Sequence, residues 1–101
     1  MAGAIQFANA TQDAKRLRRE AGRWLQAERK RAGLSQLQLA DKLGLRYYSF
    51  VSQVENGCGR VPSETMEGWA LALAVPPDVF ARRLLSFYDP ELHRLLFKED
   101  R

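Results

Sequence analysis

The stretch GLRYYSFVSQVENG, residues 44–57, decides the fold of this chain. Aromatic and β-branched residues crowd its middle, so composition alone predicts a β-strand. A lone strand in a chain whose other segments are helical would leave backbone N–H and C=O groups without partners, and an isolated strand is unstable. We therefore predict a helix, with Phe50 or Val51 together with Val54 on its inner face and polar residues outside.

Helix signals precede this stretch. Apolar residues recur at helical spacing over residues 11–32, and Gly33 stands where a C-terminal cap is expected. Ser35 and Gln38 have the spacing of a capping box, which predicts a short second helix that ends at Gly44.

Helix signals also follow the stretch. Segment 64–74 carries its apolar residues on one face and runs into two prolines, which end a helix. Asp78 is expected to cap a helix over 79–88. Asp89 is expected to cap another over 90–97, whose first residue is a proline. The chain is therefore predicted to be all-α.

Composition restricts the class of protein. The 101 residues, 46% of them apolar, suffice for about one domain. The single cysteine, Cys58, excludes an internal disulfide and a zinc site built from cysteines, and no apolar run approaches the roughly 20 residues of a membrane span. The first residues lack the basic and apolar regions of a secretory signal. We expect a cytoplasmic protein that uses no metal or other cofactor.

No set of residues indicates catalysis. The sequence shows no nucleophile with a matching base, no glycine-rich phosphate loop and no carboxylate pair, and a domain of this size has little room for a buried pocket. Cys58 is expected to be an incidental loop thiol, and His93, the one histidine, a surface residue of the last helix. We do not expect an enzyme.

Positive charge is concentrated in the first third of the chain. Residues 1–33 hold eight of the sixteen lysines and arginines against three acids, a local charge of +5. Residues 61–101 carry five basic and seven acidic groups, a local charge of −2. Such asymmetry is expected when one face of a protein meets a polyanion, although a basic run is also typical of a solvated helix face.

Several motifs together resemble one family. The runs LSQLQLADKLGL (34–45), FVSQVENG (50–57) and VPSETMEGWALALAVPP (61–77) are similar to the Xre or lambda-Cro-like helix-turn-helix repressors. In that family a Leu-Ser-Gln segment opens the second helix and a Val-Glu-Asn-Gly segment closes the recognition helix. The resemblance covers residues 24–77 and implies a bundle of five short helices that binds DNA as a dimer. The turn between Gly44 and Val51 is one residue longer than the usual family spacing.

The resemblance and the residue chemistry together imply two sets of DNA contacts. The residues expected to enter the major groove and read bases are Tyr48, Ser49, Ser52 and Gln53, because glutamine can bond bidentately to adenine and serine is permissive. The residues expected to contact phosphates are Gln36, Arg46, Tyr47, Asn56, Arg60, Arg18 and Arg19. A tyrosine of this turn could contact a thymine methyl group, donate to a phosphate, or pack into the longer turn.

Two structural roles are also expected. The resemblance implies an ion pair of Arg29 with Glu55, which would hold the recognition helix against the first helix. The terminal helices carry more apolar groups than they need to cover the core, and we expect them to form a homodimer interface, with some of them folding back on the first helix. The interface residues are Phe80, Leu84, Phe87, Tyr88, Leu92, Leu95 and Leu96. The predicted organisation is a flexible arm (1–10), a helix-turn-helix domain (11–77) and a C-terminal helical extension (78–101).

Two functions follow from these observations. One is a sequence-specific regulator of transcription, a repressor by resemblance, that binds an inverted-repeat operator in double-stranded DNA as a homodimer. The other is an antitoxin-like or co-regulator module on the same fold, whose main partner is another protein. The outward polar set of the third helix and the basic first helix favour DNA, whereas the apolar C-terminal helices favour a protein partner.

Overall fold

The computed structural model describes the backbone of residues 2–98 and the side chains of residues 12–98. Within that part of the chain the regular structure is entirely helical, which confirms the predicted fold class. The elements are α1 (Ala2–Arg31), α2 (Gln36–Lys42), α3 (Ser49–Glu55), a 3₁₀ turn (Ser63–Thr65), α4 (Met66–Ala72), α5 (Pro77–Tyr88) and α6 (Pro90–Leu96). None of the helices described here combines the length and apolarity that a bilayer crossing requires.

Helix α1 begins earlier than the sequence predicts. It has 30 residues, a length of about 45 Å, and is helical from Ala2, where we expected an arm over residues 1–10. The segment 2–10 is rich in alanine and contains no proline, so a helix started further along the chain propagates backwards through it at little cost. The C-terminal end agrees with the prediction, because α1 stops at Arg31 and Gly33 takes a φ of +76°.

Helix α2 has the N-terminus that its sequence predicts. The Ser35 hydroxyl accepts from the Gln38 backbone N–H at 3.0 Å, and the Gln38 side chain accepts from the Ser35 N–H at 2.8 Å. This reciprocal capping box satisfies two N–H groups that the first turn leaves unpaired. Gly44, with a φ of +73°, ends the segment and turns the chain toward α3.

The C-terminal helices differ in detail from the predicted limits. The segment expected to be one helix over 64–74 is a 3₁₀ turn followed by α4. Asp78 does not cap α5: Pro76 stands at the N-cap and Pro77 is the first helical residue, so Asp78 lies in the first turn. The fixed φ of proline suits that first position. Asp89 does cap α6, and its carboxylate accepts from the Leu92 N–H at 3.1 Å.

One continuous apolar core joins these helices. Helix α1 packs against α3 and α5, and α5 packs also against α4 and α6. Every helix except α6 contributes to this core, as do Val61 in the loop after α3 and Leu73 at the end of α4. The buried apolar side chains are Ala21, Leu25, Leu39, Ala40, Val51, Val54, Val61, Trp69, Ala70, Leu73, Phe80 and Leu84. Helix α3 is therefore attached to the same core as α5, through two fully buried valines and the partly buried Phe50.

The expected homodimer surface has to be corrected at α5. Phe80 and Leu84 have no exposed surface in the monomer, and Phe87 packs on the core with its ring centroid 6.4 Å from that of Trp24. Tyr88 is also partly buried against the core. An amphipathic helix presents its most apolar stripe to its own core, so the α5 residues fold back and only the α6 leucines remain for an interface, where we expected both helices to contribute.

The leucines of α6 differ from these α5 residues. Leu92, Leu95 and Leu96 are 42%, 51% and 59% exposed. They lie three and four positions apart and so share one face of the helix. His93 and Phe97 lie on another face, where Phe97 stacks under the Arg82 guanidinium at 4.1 Å. The leucine face of α6 is therefore the apolar surface that the monomer leaves uncovered at this end.

Candidate nucleic-acid interface

Helix α3 has one buried and one displayed face. Val51 and Val54 are fully buried, whereas Ser49 and Gln53 are exposed and Ser52 is half-buried. The burial of two valines three positions apart outweighs their local preference for a strand, because an extended segment could not place both on the core. The outward set predicted for base contacts therefore lies on a solvent-facing surface.

The turn before α3 displays both tyrosines. Tyr47 is 67% exposed and Tyr48, at the N-cap position, is 53% exposed with no capping hydrogen bond from its side chain. Neither ring packs into the longer turn, which removes one of the three roles open to them. Phe50 instead packs partly on the core. An open cavity of about 450 Å³ lies between the turn and the helix, lined by Tyr47, Tyr48, Ser49, Ser52 and Gln53.

A buried ion pair joins α3 to α1. Arg29 Nε donates to Glu55 Oε2 at 2.6 Å, and Arg29 Nη2 donates to Glu55 Oε1 at 3.1 Å. The two side chains are only 9% and 2% exposed. Arg29 Nη1 also donates to the Leu34 carbonyl oxygen at 2.8 Å. A bidentate arginine–carboxylate pair has a fixed planar geometry, so it sets the rotation of α3 as well as its distance from α1.

Gln36 takes part in the same network. Its Nε2 donates to Glu55 Oε1 at 3.0 Å, which links the first residue of α2 to the ion pair. Sequence reasoning missed this bond, because the two residues lie 19 positions apart and no pattern relates them. The bond uses one amide hydrogen, so the second hydrogen and the amide oxygen remain open to the phosphate contact that we predicted for this residue.

Close backbone contact also fixes α3 against α1. A Cβ atom added at Gly22 would lie 2.7 Å from the Glu55 carbonyl carbon and 2.7 Å from the Val54 carbonyl oxygen. A Cβ added at Gly57, whose φ is +83°, would lie 2.9 Å from the Cα atom of Arg19. Glycine at both positions lets α1 lie directly against the end of α3. Arg19 is thereby brought beside the loop that follows α3.

Basic residues from α1 and from that loop meet at Tyr88. The Arg60 guanidinium lies 4.4 Å from the centre of the Tyr88 ring, and the Tyr88 hydroxyl oxygen accepts from the Val61 N–H at 3.1 Å. Burial raises the pKa of Tyr88 above its usual 10.0, against the opposing effects of the Val61 N–H and the charges of Arg60 and Arg18. Arg18 Nε is itself buried, with no hydrogen-bond partner within the described residues.

The remaining predicted contact residues lie around α3. Arg46 is exposed in the turn before the helix, and Asn56 is exposed at its C-cap. Arg19 and Arg60 are exposed, and Arg18 is half-buried. The structure thus brings most of the predicted basic groups to the two ends of α3.

Cys58 lies in the loop that follows α3, and His93 lies in α6. Cys58 is an exposed free thiol. His93 is half-buried in α6, with its ring centroid 5.0 Å from that of Phe97. The described residues contain no group of three or more side chains arranged to hold a metal ion.

The architecture defines the class of protein. A short helix, a turn and a second short helix with a polar outer face form a helix-turn-helix unit, anchored here on a long first helix. A family model described as helix-turn-helix matches residues 25–80, more than half of the chain. The chain therefore belongs to the helix-turn-helix family of the Xre and lambda-Cro type, which makes it a DNA-binding regulatory protein. No curated protein matches the chain.

Proposed function

We propose that this protein is a sequence-specific regulator of transcription that binds double-stranded DNA through the outer face of α3. One observation carries the proposal. The buried valines and the Arg29–Glu55 pair fix the rotation of α3, so that Ser49, Ser52 and Gln53 face solvent together. These side chains can donate to and accept from base edges in the major groove.

The basic residues supply the non-specific part of this binding. Arg18 and Arg60 both act on the Tyr88 phenol, and Arg19 lies against the loop that carries Gly57. Cations gathered at one end of the recognition helix are suited to the phosphates that flank the groove. Gln36, at the first turn of α2, is suited to a phosphate on the other side.

We further propose that the protein binds an inverted repeat as a homodimer, with the leucine face of α6 in the interface. Leu92, Leu95 and Leu96 are exposed in the monomer, and pairing two such faces would bury them. Two-fold pairing would place the recognition helices about one DNA turn, roughly 34 Å, apart. Light scattering checks this: Leu95→Glu with Leu96→Glu should give a monomer where the parent is a dimer. A monomeric parent at high micromolar concentration would contradict it.

The primary experiment is the selection of bound duplexes from a random DNA library. The proposal expects an enriched inverted repeat, and failure to enrich any sequence would refute it. A gel-shift titration at low and high salt then measures the phosphate contribution, because each phosphate contact adds about one unit to the slope of log affinity against log salt. By resemblance we propose that the protein is a cytoplasmic repressor. A reporter gene with the operator across its promoter should lose expression when the protein is present.

A protein-binding role is the second candidate. The same leucine face of α6 could hold a different protein, as in an antitoxin-like or co-regulator module. Such a module would bind bulk DNA weakly and without a steep salt slope, so the titration distinguishes the two functions.

A further inference from the structure

The cavity beside α3 contains two residues to which the proposed function gives no role. It is lined by Tyr47 and Tyr48 together with Ser49, Ser52 and Gln53. The tyrosine rings are more than half exposed although aromatic surface is costly to leave in water. The cavity is continuous with the outward face of α3, so whatever contacts Gln53 in the major groove also reaches the tyrosines.

The longer turn explains why this cavity exists. The chain has one residue more than the usual family spacing between Gly44 and Val51, and the structure places the tyrosine pair in this segment. Val51 is anchored in the core and Gly44 ends α2, so the extra residue is accommodated outward. Both tyrosines remain exposed next to the start of α3, and with Ser49, Ser52 and Gln53 they line the cavity, which we call the notch.

The chemistry of the groove indicates what fits there. Among the four bases, the 5-methyl group of thymine is the apolar group displayed in the major groove. Adenine, the partner of thymine, presents the N6 and N7 atoms that a glutamine can bind bidentately. Neighbouring base pairs that present a thymine methyl group and an adenine edge would thus offer an apolar contact to the tyrosines and hydrogen-bonding atoms to Gln53. A cavity of about 450 Å³ has room for the edges of neighbouring base pairs.

We propose that this notch binds the 5-methyl group of a thymine, with Tyr47 and Tyr48 as specificity-determining residues beside Gln53. The inference rests on the proposed DNA-binding function and names the base that it selects. Burying one methyl group against the rings should be worth about a fourfold gain in affinity.

The test uses the operator obtained from the random-library selection. Each thymine of a half-site is replaced in turn by uracil, which removes the methyl group and keeps every hydrogen-bonding atom. At one or two positions uracil should weaken binding by the parent about fourfold in a gel shift at fixed salt. The variant with Tyr47→Ala and Tyr48→Ala should bind thymine and uracil operators equally.

A matched variant tests the contribution of the tyrosine rings without their hydroxyl groups. The variant with Tyr47→Phe and Tyr48→Phe keeps both aromatic rings, so replacing thymine by uracil should still weaken its binding. The proposal would be overturned by two results together: the parent binds thymine and uracil operators equally, and the phenylalanine variant binds every operator more weakly. That outcome would show that the tyrosines contact phosphates. All four substitutions lie at exposed positions, and a thermal melt checks that the variants fold.

A second arm distinguishes thymine from methylated cytosine. The same positions are replaced by cytosine and by 5-methylcytosine, each opposite guanine. If 5-methylcytosine binds as tightly as thymine, the assignment to thymine is wrong. A parent that binds its operator but is indifferent to every uracil also refutes the notch and leaves the proposed function standing. A parent that enriches no duplex refutes both.

Discussion

Helices α3 and α5 both pack against α1 but are held there by different interactions. Helix α5 has 12 residues and buries Phe80 and Leu84 completely, with the Phe80 and Trp24 ring centroids 5.6 Å apart. Helix α3 has seven residues and adds to its two buried valines a buried carboxylate, Glu55. Helix α5 is attached through buried apolar side chains, whereas α3 is attached through two buried valines and a bidentate ion pair.

The two kinds of attachment differ in how firmly they fix the rotation of a helix. Apolar burial is non-directional, so it keeps a helix in contact but tolerates small rotations. A bidentate ion pair is directional, so it also fixes which side chains face outward. A helix that reads bases needs that second property, whereas a helix that only completes the core does not.

Breaking the ion pair should have the largest effect. Glu55→Ala or Arg29→Ala leaves a buried charge without its partner and should cost on the order of 3–5 kcal/mol in the free energy of unfolding, measured by denaturant titration. The double variant Arg29→Met with Glu55→Leu should be close to neutral for stability. It should nevertheless bind DNA less selectively, because α3 loses its directional anchor. An unchanged midpoint for Glu55→Ala would contradict the comparison.

Opening a cavity under α5 should destabilise without altering base preference. Leu84→Ala removes a fully buried side chain and should cost about 2–5 kcal/mol. The folded fraction of this variant should keep the operator preference of the parent, since α3 is untouched. A changed preference at matched folded concentration would mean that α5 also orients the recognition helix.

Gly22 tests the close approach of α1 and α3. Alanine is the better helix former by about 1 kcal/mol, yet at this site its Cβ meets the backbone of Glu55. We expect Gly22→Ala to destabilise by about 1–3 kcal/mol and to weaken operator binding, because α3 must move away. Gly68→Ala is the control: a Cβ there meets nothing within 4 Å, so this variant should be as stable as the parent or more so. Equal effects of both substitutions would contradict the packing argument.

Substitutions in and next to α3 should distinguish base contacts from phosphate contacts. Gln53→Ala should lose about 1–3 kcal/mol of discrimination at particular base positions, measured over single-base operator variants. Arg60→Ala should instead weaken all sequences about equally and lower the salt slope by about one unit. A Gln53→Ala protein with full affinity and unchanged preference would move the protein-binding candidate ahead.

Tyr88 gives the smallest expected effect. Tyr88→Phe leaves the Val61 N–H without its acceptor and should cost on the order of 1 kcal/mol. The folded-state pKa of Tyr88 is raised, so its protonated phenol contributes stability that is present below pH 10.0 and is lost as the pH rises toward the folded-state value. As the pH rises above 10.0 the parent should therefore lose stability more steeply than the variant. Parallel profiles would show that the phenol does not titrate differently on folding.

Local chemistry accounts for the parts of the fold that the sequence predicted. The capping box at Ser35, the cap at Asp89 and the glycine after α1 depend on neighbouring residues alone, and the structure contains all three. The match over residues 25–80 confirms the family. The start of α1 and the cap of α5 were predicted wrongly, because alanine-rich segments carry no stop signal and because proline competes with aspartate at a helix start.

By itself the sequence determined that this chain is helical, that its first third is basic and that it belongs among the helix-turn-helix proteins. The helical class and the basic first third follow from periodicity, capping and charge, which are local or additive along the chain. The family follows from the resemblance of its motifs and from the match over residues 25–80. Only the tertiary structure decided that Phe80 and Leu84 lie in the core, that Gln36 bonds to Glu55, and that the tyrosine pair faces outward beside Gln53. Each of these depends on which helix faces meet, and that is set by the packing of all the helices together.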